Sequence, residues 1–140
     1  MNPIKILLVE DNEGDILLTS DALDDCRIMN KVTVIKDGEA AISYFSGIKS
    51  REERPDLVLL DINLPKKSGI DVLIFLKNND TYKSIPVIML TTSSSEKDVT
   101  LSYKNYANCF ITKPIEVTEF INAIAKIEEF WFNIVTIPTR

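Results

Sequence analysis

Four apolar runs in this sequence end in residues that can do chemistry. Ile4-Lys5-Ile6-Leu7-Leu8-Val9 ends at Glu10-Asp11, and Leu57-Val58-Leu59-Leu60 ends at Asp61. Val87-Ile88-Met89-Leu90 ends at Thr91-Thr92, and Cys109-Phe110-Ile111 leads to Lys113-Pro114. Carboxylates gathered in one crevice repel one another, and a divalent cation relieves that repulsion. The ligands on offer are oxygens only, which suits Mg²⁺ or Mn²⁺ rather than zinc. Ca²⁺ ordinarily takes more ligands than this edge provides. With a metal holding the acids, Lys113 is suited to a bound anion such as phosphoryl oxygen, and the Thr91 hydroxyl can serve the same oxygens. Each residue also has a plainer explanation. Glu10 and Asp11 could compensate a helix dipole, Lys113 could be a salt-bridge partner, and Thr91 could simply finish a strand.

These residues can meet only if the chain brings the ends of the runs together. The runs are apolar throughout and alternate five times with helix-length segments, which implies a parallel sheet covered on both faces. A strand spans Ile4 to Val9. Asn12 is placed to cap a helix near Glu13, with Asp15 in its first turn and Ile16, Leu17, Ala22 and Leu23 at helical spacing. Val32, Val34 and Ile35 suggest a second strand, and Asp37-Gly38 turns into a helix carrying Ala40, Ala41, Tyr44 and Phe45. Residues 46–56 read as a polar loop. Gly69 opens a helix with Val72, Leu73, Phe75 and Leu76. Val99, Leu101 and Tyr103 mark a weaker helix. Phe120, Ile121, Ile124 and Ile127 form one face of the last helix. The expected architecture is α/β, a doubly wound five-stranded parallel sheet with helices on both faces. Ligands of such sheets sit at the carboxyl ends of the strands, where all the polar residues above would converge.

Composition narrows the function. The 140 residues are 45% hydrophobic and 26% charged, a globular balance rather than a disordered one. A net charge of −5 gives no broad attraction to phosphate backbones, so nucleic acid is not an expected partner. No apolar run is long enough to cross a membrane and no leader pattern opens the chain, so a cytoplasmic location is expected. Cys26 and Cys109 lack metal-type spacing and read as small buried residues. The sequence contains no histidine, which removes Ser-His, Cys-His and histidine-type zinc chemistry.

At these residues the sequence resembles the response-regulator receiver family of two-component signalling. The matching segments are Leu7-Leu8-Val9-Glu10-Asp11-Asn12, Leu60-Asp61-Ile62-Asn63-Leu64-Pro65 with Gly69, Leu90-Thr91-Thr92-Ser93, and Phe110-Ile111-Thr112-Lys113-Pro114. The resemblance covers residues 3–130 as the receiver domain and leaves 131–140 as an apolar tail with no separate output domain. It implies a flavodoxin-like sheet of strand order 2-1-3-4-5. It further implies that Asp61 is the phosphoacceptor and that Glu10, Asp11, Asp61 and the Asn63 backbone carbonyl hold Mg²⁺ or Mn²⁺. Lys113 and Thr91 would contact the phosphoryl group, Phe110 would act with Thr91 as the switch, and the peptide before Pro114 would be cis. Asn63 and Ser93 would flank the site and tune water access.

The implied function is phosphorelay signal transduction: a stand-alone regulator phosphorylated by a sensor histidine kinase, with output through protein–protein contact. Catalysis of its own phosphorylation and dephosphorylation does not make it a turnover enzyme. The tail, Phe130-Trp131-Phe132 with Ile134, Val135 and Ile137, reads either as packing on its own domain or as a homodimer contact. Together with the long loop before Asp61 it is similar to single-domain regulators paired with phytochrome-type kinases. Two other functions compete. A haloacid-dehalogenase-type phosphatase also uses a strand-end Asp with Mg²⁺, but its nucleophile follows the first strand and has a second Asp two residues on, where this chain has Asn63. A phosphate-independent adaptor would keep the fold without needing this set of acids.

Overall fold

The computed structural model describes residues 3–26, 29–91 and 96–123, except for the side chains of 96 and 97. The elements run β1 (Ile4–Val9), α1 (Glu13–Asp25), β2 (Asn30–Ile35), α2 (Gly38–Ser46), a short 3-10 turn (Arg51–Glu53), β3 (Leu57–Asp61), α3 (Gly69–Lys77), β4 (Val87–Thr91), α4 (Glu96–Lys104) and β5 (Cys109–Thr112). Residues 117–123 form a further helical segment, α5. The five strands are parallel and ordered β2-β1-β3-β4-β5. The strand order and covered parallel sheet expected above are therefore what the chain adopts.

Side chains alternate between the two faces of each strand, so one apolar run feeds two cores. Ile6, Leu8, Leu57 and Leu59 point to the face covered by Leu23 of α1 and Phe120 of α5. Leu7, Val9, Val58 and Leu60 point to the other face, against Phe45 of α2 and Leu73 and Leu76 of α3. Both faces are dry, which is why β3 and β4 are buried at every position and carry no alternating polar residue.

Caps fix where the helices start. The Asn12 side chain accepts from the Asp15 N–H at 2.9 Å, and Asp37 accepts from the Ala40 N–H at 2.7 Å. Ser68 and Asp71 form a reciprocal capping box on α3. Two expected helix faces differ from the observed ones. Leu17 is 62% exposed, and the neighbouring Thr19 is buried instead. Among the described side chains of α4 the buried one is Ser102, whose hydroxyl donates to the Asp98 carbonyl at 2.8 Å, while Tyr103 is exposed. Val99, Leu101 and Tyr103 alternate by two, so they cannot share one face of a 3.6-residue helix. Cys26 is buried as expected, but Cys109 is only partly so. Ile124, Ile127 and the tail 131–140 lie outside the described residues.

Candidate phosphoacceptor and metal site

Strand register levels the ends of the runs. Val9 pairs with Leu60, Asp61 with Leu90, and Thr91 with Thr112. The residues that follow each strand therefore reach the same edge of the sheet. Glycine lets the segment beyond Asp61 close tightly: a Cβ at Gly69 would collide with the Asp61 carbonyl oxygen, and the Gly69 N–H donates to the Ile62 carbonyl at 2.8 Å. A Cβ at Gly38 would likewise run into the Lys67 backbone, so α2 packs directly on the segment after Asp61.

Glu10, Asp11 and Asp61 converge as expected. One carboxylate oxygen from each lies within 4.8 Å of the others. Glu10 and Asp61 are buried, and Asp11 faces solvent. The Glu10 carboxylate is pinned at both oxygens: Oε1 accepts from Lys113 Nζ at 2.6 Å, and Oε2 from the Asn12 N–H at 3.3 Å. Lys113 follows β5 and is drawn in by its own N–H, which donates to the Thr91 carbonyl at 2.7 Å. The Lys113–Pro114 peptide is cis, as expected. Thr91 is fully buried at the end of β4. Phe110 lies opposite Met89 and packs, partly buried, on the core beneath α2 and α3. Asn63 is exposed two residues beyond Asp61. Thr92 and Ser93 lie outside the described residues.

The electrostatics of this edge are unbalanced. Burial, and then the charge and hydrogen bonding of Glu10, push the Asp61 carboxyl from 3.8 up to about 7 against the opposing pull of Lys113. Burial alone would disfavour the Lys113 charge, but the hydrogen bonds it donates to Asp15 and Glu10 and the charges of Asp61 and Glu10 outweigh it and raise its pKa. Lys113 therefore stays an ammonium, 3.5 Å from Asp61 Oδ1. One such cation does not satisfy the three clustered acids, and their donor set is all oxygen. That chemistry fits a small hard dication such as Mg²⁺ or Mn²⁺.

One member of the site was not read as such from the sequence. Asp15, assigned above to the first turn of α1, places Oδ2 2.8 Å from Lys113 Nζ. A helical side chain leans over the turn N-terminal to its own Cα. An acid four residues after Asp11 therefore covers the same strand end, and this spacing is the signal that marks it. Of the two roles the sequence allows Lys113, a salt bridge and a contact to a bound anion, the structure displays the salt bridges, to Glu10 and Asp15.

Comparison with known proteins places these features in one group. Residues 6–125 match the model of the response regulator receiver domain. The chain is 41% identical over 140 residues to the response regulator Rcp1 of Synechocystis, covering 98% of this chain and 95% of that protein. A crystal structure of the phosphorylated cyanobacterial phytochrome response regulator RcpA superposes with a TM-score of 0.76 at 41% identity, covering 99% of this chain and 100% of that one. The Mn²⁺-bound form of Rcp1 superposes with a TM-score of 0.74 at 40% identity, covering 98% and 100% respectively.

Proposed function

This chain belongs to the response-regulator receiver family of phosphorelay signalling, and from that premise we propose that Asp61 accepts a phosphoryl group from a sensor histidine kinase. Receiver domains are phosphoacceptors rather than turnover enzymes. The observation that carries the assignment is the gathering of Glu10, Asp11 and Asp61 within 4.8 Å, with Lys113 Nζ 3.5 Å from Asp61.

An ionised oxygen of Asp61 attacks phosphorus, an O–P bond forms, and the P–N bonding pair returns to the donor imidazole. The 140 residues contain no histidine, so the donor imidazole lies outside them. The Lys113 ammonium lies beside the attacking carboxylate and can bond an oxygen of the transferred group. The buried Thr91 hydroxyl is the proposed second donor to that group, and Phe110, on the next strand, its proposed switch partner. Catalysis is then mostly positioning and charge stabilisation. Mg²⁺, or Mn²⁺, held by Glu10, Asp11, Asp61 and the Asn63 carbonyl would neutralise charge on the phosphoryl oxygens. A solved structure of the similar protein Rcp1 in a Mn²⁺-bound form supports a divalent metal.

Output is proposed to run through protein–protein contact on the face of α4, β5 and α5, where Tyr103 and Tyr106, in and just after α4, are 48% and 76% exposed. The proposed receiver unit spans residues 3–130. The similarity to regulators named for phytochromes makes a phytochrome-type kinase the proposed partner. Phosphohistidine formed from ATP supports a cytoplasmic location. Asp61→Asn should abolish labelling by acetyl phosphate with Mg²⁺, a loss beyond about a hundredfold. Labelling that survives the substitution, or proceeds equally in chelator, would falsify the assignment.

A further inference from the structure

Lys113 has three N–H donors and three acidic neighbours, but it is not shared equally among them. Its Nζ lies 2.6 Å from Glu10, 2.8 Å from Asp15 and 3.5 Å from Asp61. Two of those donors are committed at short range, so Lys113 reaches for a transferred phosphoryl oxygen against the pull of Glu10 and Asp15, and the weaker of the two contacts is the one that can yield. The Glu10 side chain is 1% exposed, so a carboxylate left unpaired there would have little water to replace the lysine. The Asp15 side chain is 26% exposed on the first turn of α1 and can be rehydrated in place. The Asp15 contact is therefore the one that exchanges.

Resting on the reading of Asp61 as phosphoacceptor, we propose that Asp15 is a positioning residue that competes with the phosphoryl group for Lys113 and so restrains phosphorylation. It touches neither the phosphorus nor the attacking oxygen and acts only through the lysine. Two plainer roles predict different behaviour. An acid that merely complements the helix dipole would alter stability but not phosphoryl loading. An acid that merely repels an anionic donor would be replaceable by any carboxylate in the same turn. Glu13 provides that comparison: it is exposed and pairs with Lys36, not with Lys113.

The test compares wild type, Asp15→Asn, Asp15→Ala and Glu13→Gln, each checked for native circular dichroism. The readouts are acetyl phosphate labelling at saturating donor and equilibrium binding of beryllofluoride with Mg²⁺ as a phosphoryl mimic. A partly exposed ion pair has a net value of about 0.5–1 kcal/mol. Releasing Lys113 from it should raise both the labelling rate and beryllofluoride affinity by about two- to fivefold in the Asp15 variants. Glu13→Gln should behave as wild type, and in a Lys113→Ala background Asp15→Asn should confer no gain in beryllofluoride affinity. Unchanged or weakened labelling and binding in the Asp15 variants overturn the proposal, as does a gain that persists without Lys113 or is matched by Glu13→Gln. If wild type neither labels nor binds beryllofluoride, the Asp61 reading falls first and this inference with it. A wild type that labels beside indifferent Asp15 variants overturns this inference alone.

Discussion

Two lysines sit at opposite edges of the sheet and solve burial in opposite ways. Lys113, at the carboxyl edge, is surrounded by Glu10, Asp15 and Asp61. Lys77, at the end of α3 on the amino edge, donates to the Ile85 carbonyl at 2.7 Å and the Lys83 carbonyl at 3.0 Å. Burial disfavours the charge of both. The carboxylates more than reverse that effect, and Lys113 holds its proton more strongly than a lysine in water. The neutral carbonyls do not, and Lys77 falls from 10.5 to about 8. Dipoles hold an ammonium in place, whereas only charge keeps it charged. The carboxyl edge is thus organised around charge that needs a partner, and the amino edge around ordinary loop closure.

The largest effect expected from this contrast is loss of Lys113. Lys113→Ala leaves Glu10 and Asp61 buried without their cation, which should cost the metal-free protein about 4 kcal/mol at pH 8. Thermal unfolding in chelator measures it. Mg²⁺ should then restore more stability to the variant than it adds to wild type, because it replaces the missing charge. A variant as stable as wild type in chelator would show that the ion pairs of this edge are ornamental.

The next effect has the opposite sign. Asp61 has its folded pKa raised from 3.8 to about 7, so the native state binds the proton more strongly than the unfolded chain. Metal-free stability should therefore fall as pH rises from about 4 to 7 and level off above. Asp61→Asn removes that slope and should be about 3 kcal/mol more stable than wild type at pH 8 in chelator, with the two converging near pH 4. Denaturant melts at the two pH values check this. A substitution that kills labelling while stabilising the fold identifies a residue kept for chemistry rather than packing. A gap that is the same at both pH values would reject the ionisation account.

These two residues also mark what the sequence discloses. The sheet was readable because β1, β3 and β4 are apolar at nearly every position, and in a parallel sheet buried on both faces such runs can end in polar groups only at the edges. Asp61, Glu10, Asp11 and Lys113 announced themselves by interrupting those runs. Asp15 did not, because an acid in a first turn has a sufficient local explanation and its long-range partner is 98 residues away. Thr19 and Ser102 were hidden for a related reason. Both are small hydroxyl residues at fully covered helix positions, where fit and a local hydrogen bond such as that of Ser102 to the Asp98 carbonyl take the place of hydrophobicity. Exposed Leu17 and Leu18 then misstate which side of α1 faces the sheet.

The smallest effect completes the contrast at Lys77. A base with a depressed folded pKa is held protonated more weakly by the native state than by the unfolded chain. Between pH 8 and 10.5 the unfolded chain therefore binds more protons, and wild-type stability should rise across that window. Partial exposure of the side chain limits the gain to about 1 kcal/mol. Lys77→Met should remove the slope, while leaving the Lys83 and Ile85 carbonyls without this donor. Its net cost at pH 7 should then stay within about 1 kcal/mol, because relief of a desolvated charge offsets the lost hydrogen bonds. Urea melts of both proteins at pH 7 and 10 measure the slope directly. A Lys77→Met loss as large as that of Lys113→Ala would mean that carbonyl dipoles can carry a buried ammonium as carboxylates do, and the distinction between the two edges would disappear.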